Sequence, residues 1–329
     1  MVTEARARLS KALEAFGLAP IAAPSPIDVS VSNVNYRVET AAGLVFLRAH
    51  RLSRPLDRLQ REQAGAAWAA SRGLPVATPL PAANGDTIVS VDGQYWSAYR
   101  WVDGQTCQRG SITPEQAHRL GAAHGRTLVA LRDYPGDLPR NSELNWSTAG
   151  SLAALDSVAA EVARRGTAQE QRWHALQREF LVSGAAQPDD AFAWLAVAPA
   201  HGDVHERNVM FGPDGELAAV IDWERFCLQP PAFEVLRAAS FMLLLEDEPL
   251  RAYGEGFHEH ASLDAATIPA AVEEWWQSSA HNTWAFRDTF AEGNTTSRQF
   301  LPEEERRAAL FRDRAFREWL TGALLRFAA

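Results

Sequence analysis

The chain has 329 residues, 47% hydrophobic and 22% charged, with 41 acidic against 32 basic side chains and a net charge of −9. Such a composition folds around a buried core, and its acidity argues against a nucleic-acid surface, which is normally basic. No apolar run approaches the roughly 18 residues of a membrane span, and two cysteines, Cys107 and Cys227, leave no disulfide framework, so a cytoplasmic setting is expected.

At this length single cores begin to divide, and two lobes are expected, over residues 1–102 and 103–329. Residues 1–18 carry Leu9, Leu13 and Phe16 at helical spacing among both Arg and Glu, which predicts an amphipathic helix rather than a signal peptide. Residues 29–36 and 43–50 alternate or run apolar around a turn at 40–43, the pattern of a β-hairpin. Its second strand carries Phe46-Leu47-Arg48. A helix is predicted from Pro55 to Ser71, with Glu62 on it, Gly73 past its end and Pro75 beyond. Residues 87–91 and 94–102 then form two strands around Asp92-Gly93.

The remainder reads as mostly helical. Thr113-Pro114-Glu115 starts a helix whose apolar stripe is Ala117, Leu120, His124, Leu128 and Leu131, which makes His124 a core residue rather than a ligand. Three-to-four spacing recurs in Leu152, Leu155, Val158 and Val162, in Trp173, Leu176 and Phe180, and in Phe233, Leu236 and Ser240. Residues 268–290 and 303–327 read likewise. The first of these carries Trp275, Trp276, His281, Trp284 and Arg287, aromatic faces and a guanidinium that either line a binding surface or pack between helices.

The most specific segment is His201-Gly202-Asp203-Val204-His205-Glu206-Arg207-Asn208, followed by Val220-Ile221-Asp222-Trp223. Phosphoryl transfer needs a carboxylate at the acceptor hydroxyl and divalent cations on the phosphate oxygens. Asp203 and Asn208 stand five apart, the spacing of a catalytic carboxylate and a metal-binding amide in kinase-type sites. Two short apolar segments around Gly212-Pro213-Asp214-Gly215 predict a hairpin that returns Asp222 to the end where Asn208 sits. Hard oxygen donors on neighbouring backbones suit Mg²⁺. Two other readings stay open. If residues 201–205 form a strand, alternation puts His201, Asp203 and His205 on one face, as ligands of a zinc-type centre in a metal-dependent hydrolase, although Asn208 and Asp222 then lack a role. A nucleotide-binding regulatory protein without catalysis is the third.

The His-Gly-Asp-x-His-x-x-Asn and Ile-Asp-Trp segments resemble those of the aminoglycoside phosphotransferase and choline kinase family, small-molecule kinases that share the protein-kinase-like fold. The resemblance is strongest over residues 196–240. It implies an α+β, two-lobed architecture, with a small antiparallel β-sheet lobe before a larger, mainly helical lobe. It also implies transfer of the γ-phosphoryl group of ATP, with Mg²⁺, to a hydroxyl of a sugar, amino sugar, amino alcohol or aminoglycoside. Asp203 is then the catalytic base, Asn208 and Asp222 hold Mg²⁺, and His201 and His205 shape the catalytic loop, with His205 near the acceptor. Ser32 and Asn33 stand where the family covers the phosphates. Arg48 replaces the usual Lys and pairs with Glu62, Arg51 and Arg54 being the alternatives to Arg48. The hinge that binds the base falls at Tyr99, Arg100, Trp101 and Val102. The carboxyl-terminal helices form the acceptor pocket, with His281, Trp284 and Arg287 as candidates. Glu224 is either a contact for an acceptor amine or hydroxyl or a partner for Arg225 or Arg237.

Overall fold

The computed structural model describes residues 2–27, 33–108, 110–183, 186–188, 190–242 and 247–328, so Ser32 lies outside the described residues. In chain order the elements are α1 (Val2–Ala15), β1 (Ser25–Ile27), β2 (Val34–Thr40), β3 (Gly43–Ala49), α2 (Leu56–Ser71), β4 (Pro79–Leu80), β5 (Val89–Val91), β6 (Gln94–Arg100) and β7 (Gln105–Thr106). Then come α3 (Pro114–Leu131), α4 (Thr148–Arg165), α5 (Ala168–Val182), β8 (Ala198–Ala200), β9 (Val209–Phe211), β10 (Leu217–Val220) and β11 (Cys227–Gln229). The chain finishes with α6 (Pro231–Phe241), α7 (Asp247–His258), α8 (Ile268–His281), α9 (Trp284–Phe286), α10 (Leu301–Arg312) and α11 (Arg314–Leu325). The fold is α+β and protein-kinase-like. Among the described residues no helix is long and apolar enough to cross a membrane.

Two compact units are formed: Met1–Cys107 with Glu206–Phe226, and Gln108–His205 with Cys227–Ala329. In the first, an antiparallel sheet runs β1-β2-β3-β6-β4, with β5 also on β6. Strand alternation divides its two faces. Val45, Leu47 and Ala49 of β3 and Trp96 and Ala98 of β6 bury against Ala12, Leu13 and Phe16 of α1, while Phe46, Arg48 and Tyr99 are left for the other face, where Phe46 pairs with Tyr99 across the strands. The single cut after Val102 expected from the sequence meets a discontinuous unit, because Glu206–Phe226 returns to the first sheet's side of the chain. There β7 pairs with β9, and the Val220 N–H donates to the Pro75 carbonyl at 2.9 Å.

The second unit is helical, with one short antiparallel pair, β8 and β11. Thr113 and Gln116 close a reciprocal cap on α3, satisfying two N–H groups that the first turn leaves without intrahelical partners. His124 is fully buried, bonded to the Tyr253 hydroxyl, and burial followed by the neighbouring His201 lowers its pKa to about 3. It is a core residue, as its place on the stripe implied. Both long carboxyl-terminal helices expected from periodicity are interrupted. The first stops at Asn282, whose extended backbone (φ −77°, ψ 107°) separates α8 from α9 and the π-helical turn Arg287–Ala291. The second breaks at Asp313, whose side chain accepts from the Ala315 N–H at 2.9 Å and caps α11. An Asp competes for backbone donors and so favours a cap over a helix interior.

Helices α3 and α7 touch along backbone. A Cβ on Gly121 would lie 1.9 Å from the Tyr253 carbonyl oxygen, and one on Gly256 would lie 2.0 Å from that of His118. Neither neighbour is a movable side-chain tip, so the helices must separate to admit a methyl group. We expect Gly121→Ala to destabilise the protein by about 3 kcal/mol, the upper range of overpacking, as a lowered midpoint of chemical denaturation; an unchanged midpoint would contradict this packing.

Glu274 on α8 is 1% exposed, with the Arg140 guanidinium 4.0 Å away. Burial pushes its carboxyl from the usual 4.5 up to about 7, against the pull of Arg140. A carboxyl that holds its proton more tightly when folded adds stability below its unfolded pKa, and that contribution is lost as pH rises toward the folded value. Glu274→Gln should therefore gain on the wild type by up to about 3 kcal/mol between pH 4.5 and 7.5. Denaturation curves at both pH values measure the difference, and a gap that stays constant between them refutes the assignment.

Candidate active site

After β8, residues 201–205 form a loop and not a strand, so His201, Asp203 and His205 are not aligned on one strand face. Gly202 sits at φ +79°, a conformation that L side chains rarely adopt. Two anchors fix this loop. The fully buried His201 ring accepts the Asp203 N–H through Nδ1 at 3.2 Å, and Glu234 of α6 accepts the Gly202 N–H through Oε1 at 2.8 Å. Burial raises the Glu234 carboxyl to about 7, with the Gly202 N–H and Gln229 opposing it.

The Asp203 side chain is braced in turn. Arg237, three residues after Glu234 on α6, donates Nη2 to Asp203 Oδ1 at 2.7 Å and Nη1 to Glu143 Oε2 at 2.6 Å. Its guanidinium lies 4.5 Å from the Phe241 ring centre. Burial works against the charge of Arg237, but Glu143 and Asp203 more than offset this and hold its pKa above the ordinary range. The second Asp203 oxygen, Oδ2, is 3.5 Å from His205 Nε2, and the His205 ring stacks on Phe241. Among the described residues no three His, Cys, Asp or Glu side chains converge as a zinc-type centre would require.

In the first unit, β9 and β10 form the hairpin read from the sequence. Val209 pairs with Val220, and the Ile221 N–H donates to the Asn208 carbonyl at 2.9 Å, so Asn208 and Asp222 flank the same end of one ribbon. Asp222 adopts φ 64°, ψ 65°, left-handed and uncommon for a residue with a Cβ. Strain of this kind persists where surrounding structure enforces it. An amide and a carboxylate on adjacent backbones supply hard oxygen donors that fit Mg²⁺, which takes few protein ligands and completes its shell with water and phosphate.

The cations here differ from expectation. Arg48 donates Nε to Asn35 Oδ1 at 3.2 Å and reaches Asp222 Oδ1 at 3.4 Å and Glu224 Oε1 at 3.8 Å. Glu62 pairs with Arg54 at 3.6 Å instead of with Arg48. The reason is position: Arg48 projects from the sheet face toward the ribbon, whereas Arg54 precedes α2 and buries its head between Glu62 and Glu224. Burial lowers Arg54 to about 10 against the pull of Glu62, and burial raises Glu62 against that of Arg54. Glu224 is held by Arg54 and by Asn33 Nδ2, the latter at 2.6 Å, rather than by Arg225 or Arg237. Asn33 also accepts the Arg51 N–H at 3.3 Å.

A cavity of about 210 Å³ opens on this face, and Arg48, Glu62, Asp222 and the segment Tyr99, Arg100, Trp101 and Val102 all line it. Its walls are largely apolar and include Phe46, whose ring centre lies 5.3 Å from the Arg48 guanidinium, and Met210. Strand β6 stops at Arg100, so Trp101 and Val102 border the cavity as irregular backbone.

A second cavity, of about 350 Å³, lies within the helical unit. Glu143, Trp146, His281, Trp284 and Arg287 line it. His281 is buried and held at both nitrogens, Nδ1 to the Gln277 carbonyl at 2.7 Å and Nε2 to the Thr148 hydroxyl at 3.0 Å. Trp275 and Trp276 belong to the core, against Phe233 and Phe180 respectively. The sequence reading missed Glu143 and Glu234, and it gave Arg54 and Arg237 other roles than the pairing with Glu62 and Glu224 and with Asp203 and Glu143 that the structure shows. The available signal was charge at core spacing: Glu234 and Arg237 interrupt the otherwise apolar run Ala232 to Ala239, where an unpaired charge would be costly.

The chain is 25% identical over 225 residues to a homoserine kinase of Caulobacter vibrioides, covering 68% of this chain and 66% of that enzyme, just under two thirds of its length. Its fold resembles a solved amicoumacin kinase in complex with AMP-PNP and Ca²⁺, with a TM-score of 0.63, 14% identity and 93% and 96% of the two chains covered. It also resembles a microcompartment-associated aminopropanol kinase, with a TM-score of 0.61, 18% identity and 100% of both chains covered. The model of the phosphotransferase enzyme family, APH, matches residues 24–275, most of the length, and the chain belongs to that family.

Proposed function

We propose that the protein transfers the γ-phosphoryl group of ATP to a hydroxyl of a small molecule, with Mg²⁺. The observation that carries this reading is the β9–β10 hairpin, which sets Asn208 and Asp222 side by side at the end of a ribbon that borders the Arg48 cavity. Asn208 and Asp222 hold the divalent cation, which neutralises charge on the phosphate oxygens when bound. Arg48 pairs the nucleotide phosphates, exchanging its contact with Asp222 for them, and the apolar walls beside Tyr99 to Val102 take the base. Glu62 acts through Arg54, and Asn33 through Glu224, which Arg54 also holds.

Asp203 takes the proton of the acceptor hydroxyl as that oxygen bonds to the γ-phosphorus and the nucleoside diphosphate leaves. Arg237 fixes Oδ1, which presents Oδ2 on the side of His205. The acceptor occupies the cavity of the helical unit, whose wall residue Glu143 shares Arg237 with Asp203. Sugars, amino sugars, amino alcohols and aminoglycosides are the candidate classes, and the likeness to homoserine kinase adds hydroxy amino acids.

The test is nucleotide consumption across a panel of these hydroxyl compounds with Mg²⁺, repeated with excess EDTA. We expect consumption with at least one acceptor, its loss in EDTA and its return on adding Mg²⁺; consumption that persists without divalent cations would overturn the metal assignment. In the same assay Asp203→Asn, which keeps an oxygen for Arg237, should retain nucleotide affinity and melting temperature while turnover falls by roughly 10²- to 10⁴-fold, the usual contribution of a positioned general base. Near-full turnover in that variant would remove Asp203 from the mechanism.

A further inference from the structure

The start of α2 holds more guanidinium groups than the neighbouring carboxylates pair. Glu224 is the hub: Arg54 meets its carboxylate, Arg48 approaches the same group at 3.8 Å, Arg58 donates Nη2 to its carbonyl at 3.1 Å, and Arg225 follows it in the turn Trp223–Arg225. The Arg54 N–H donates to the Arg51 carbonyl at 2.9 Å, which brings a further arginine into the same corner of the first unit. The acids there are already engaged. Glu62 pairs with Arg54 at 3.6 Å and Asp222 with Arg48 at 3.4 Å, and Asp57, largely exposed, stands 4.0 Å from Arg61. Among the described residues no carboxylate lies within 4.0 Å of the Arg51 or the Arg58 guanidinium, and Nη2 on Glu224 leaves Arg58 Nε and Nη1 without acceptors.

Like charges crowd in this corner. Burial lowers the pKa of Arg58, Glu62 opposes this, and Arg51, Arg225 and Arg61 lower it further. Donors are stranded as well: Arg54 is 2% exposed, yet its Nε and Nη1 have no hydrogen-bond acceptor, and a buried donor left unmet is costly. None of Arg51, Arg54, Arg58 and Arg225 lines the cavity beside Arg48. An anion answers both deficits. Guanidinium forks match phosphate oxygens in pairs, and a phosphate monoester carries about −1.5 to −2 at neutral pH, enough to offset two unpaired cations where a carboxylate offsets one. We infer that Arg51 and Arg58 form a second anion site on the sheet unit, outside the cavity that Arg48 lines, and that it takes a phosphoryl dianion, either inorganic phosphate or the phosphate ester of a small metabolite. Arg58 keeps its hold on the Glu224 carbonyl and gives its remaining donors to the ligand. The site stands whether or not the protein transfers phosphate.

Titration calorimetry of the whole protein without nucleotide, at an ionic strength held constant with sodium chloride, tests this with two ligands, inorganic phosphate and glycerol 3-phosphate. At least one should bind with a Kd of about 1 mM or tighter, and the tighter of the two names the source of the anion. Arg51→Met, at an exposed position whose side chain holds no carboxylate, should keep the melting temperature and raise the Kd at least about tenfold. Arg58→Met should raise it as far, and its melting temperature in phosphate-free buffer separates lost binding from lost folding. Arg48→Met should leave the Kd within about twofold, since additivity holds for a cation outside the site. Failure of both ligands to bind the wild type overturns the site. A Kd unchanged in Arg51→Met, or raised as far in Arg48→Met as in Arg51→Met, puts the anion elsewhere and overturns it too, with the kinase reading left intact.

Discussion

A buried arginine between two carboxylates is the constraint on which the helical unit's chemistry depends. Arg237 is 6% exposed and touches both Asp203 and Glu143, so a charge that burial alone would disfavour is retained through its partners. Removing Arg237 would leave Asp203 and Glu143 without the cation between them, and breaking a buried pair in this way typically costs about 3–5 kcal/mol. The loop therefore cannot relax away from α6 without a large penalty. Its backbone is held by Glu234 one turn earlier on the same helix, and one helix thus positions both the main chain and the side chain of the candidate base.

The same physics acts differently in the sheet unit. There the cations outnumber a simple strand-to-helix pair: Arg48, Arg54 and Arg58 all approach Glu224, the first two through its carboxylate and the third through its backbone carbonyl. Arg54 takes the interior position against Glu62, and Arg48 is left at the cavity, resting on Asp222. The consequence is a division of labour. Arg54, buried against Glu62, ties the start of α2 to Glu224 in the segment after the hairpin, while the cavity cation keeps a longer contact with Asp222. Arginine suits the second position because it keeps its charge in a partly apolar wall.

Most of the fold was legible in the chain because period and punctuation agreed. The hairpin of β2 and β3, helix α2 between Pro55 and Gly73, and the Thr113 cap of α3 all follow from local chemistry that tertiary structure had no reason to override. Periodicity failed where a residue inside an apolar pattern had a better use than continuing a helix. Asp313 caps a new one, and Asn282 turns the chain out of α8. The aromatic cluster on α8 was ambiguous for a related reason. Trp275 and Trp276 bury against Phe rings, while Trp284, past the break, lines a cavity; spacing alone does not say where a helix stops.

What the sequence by itself determined was the order of chemical groups on one short stretch: a carboxylate, an amide five residues on, and a second carboxylate past a hairpin turn. Backbone pairing in β9 and β10 is local, so the neighbourhood of Asn208 and Asp222 followed from apolar runs and turn residues alone. Which charges meet was decided only in three dimensions. Asp203 and Arg237 are separated by 34 positions, Arg237 and Glu143 by 94, and Arg54 and Glu224 by 170. Ion pairs over such separations depend on which helix faces pack together, and burial, not sequence distance, selects the partner by making every unpaired charge costly.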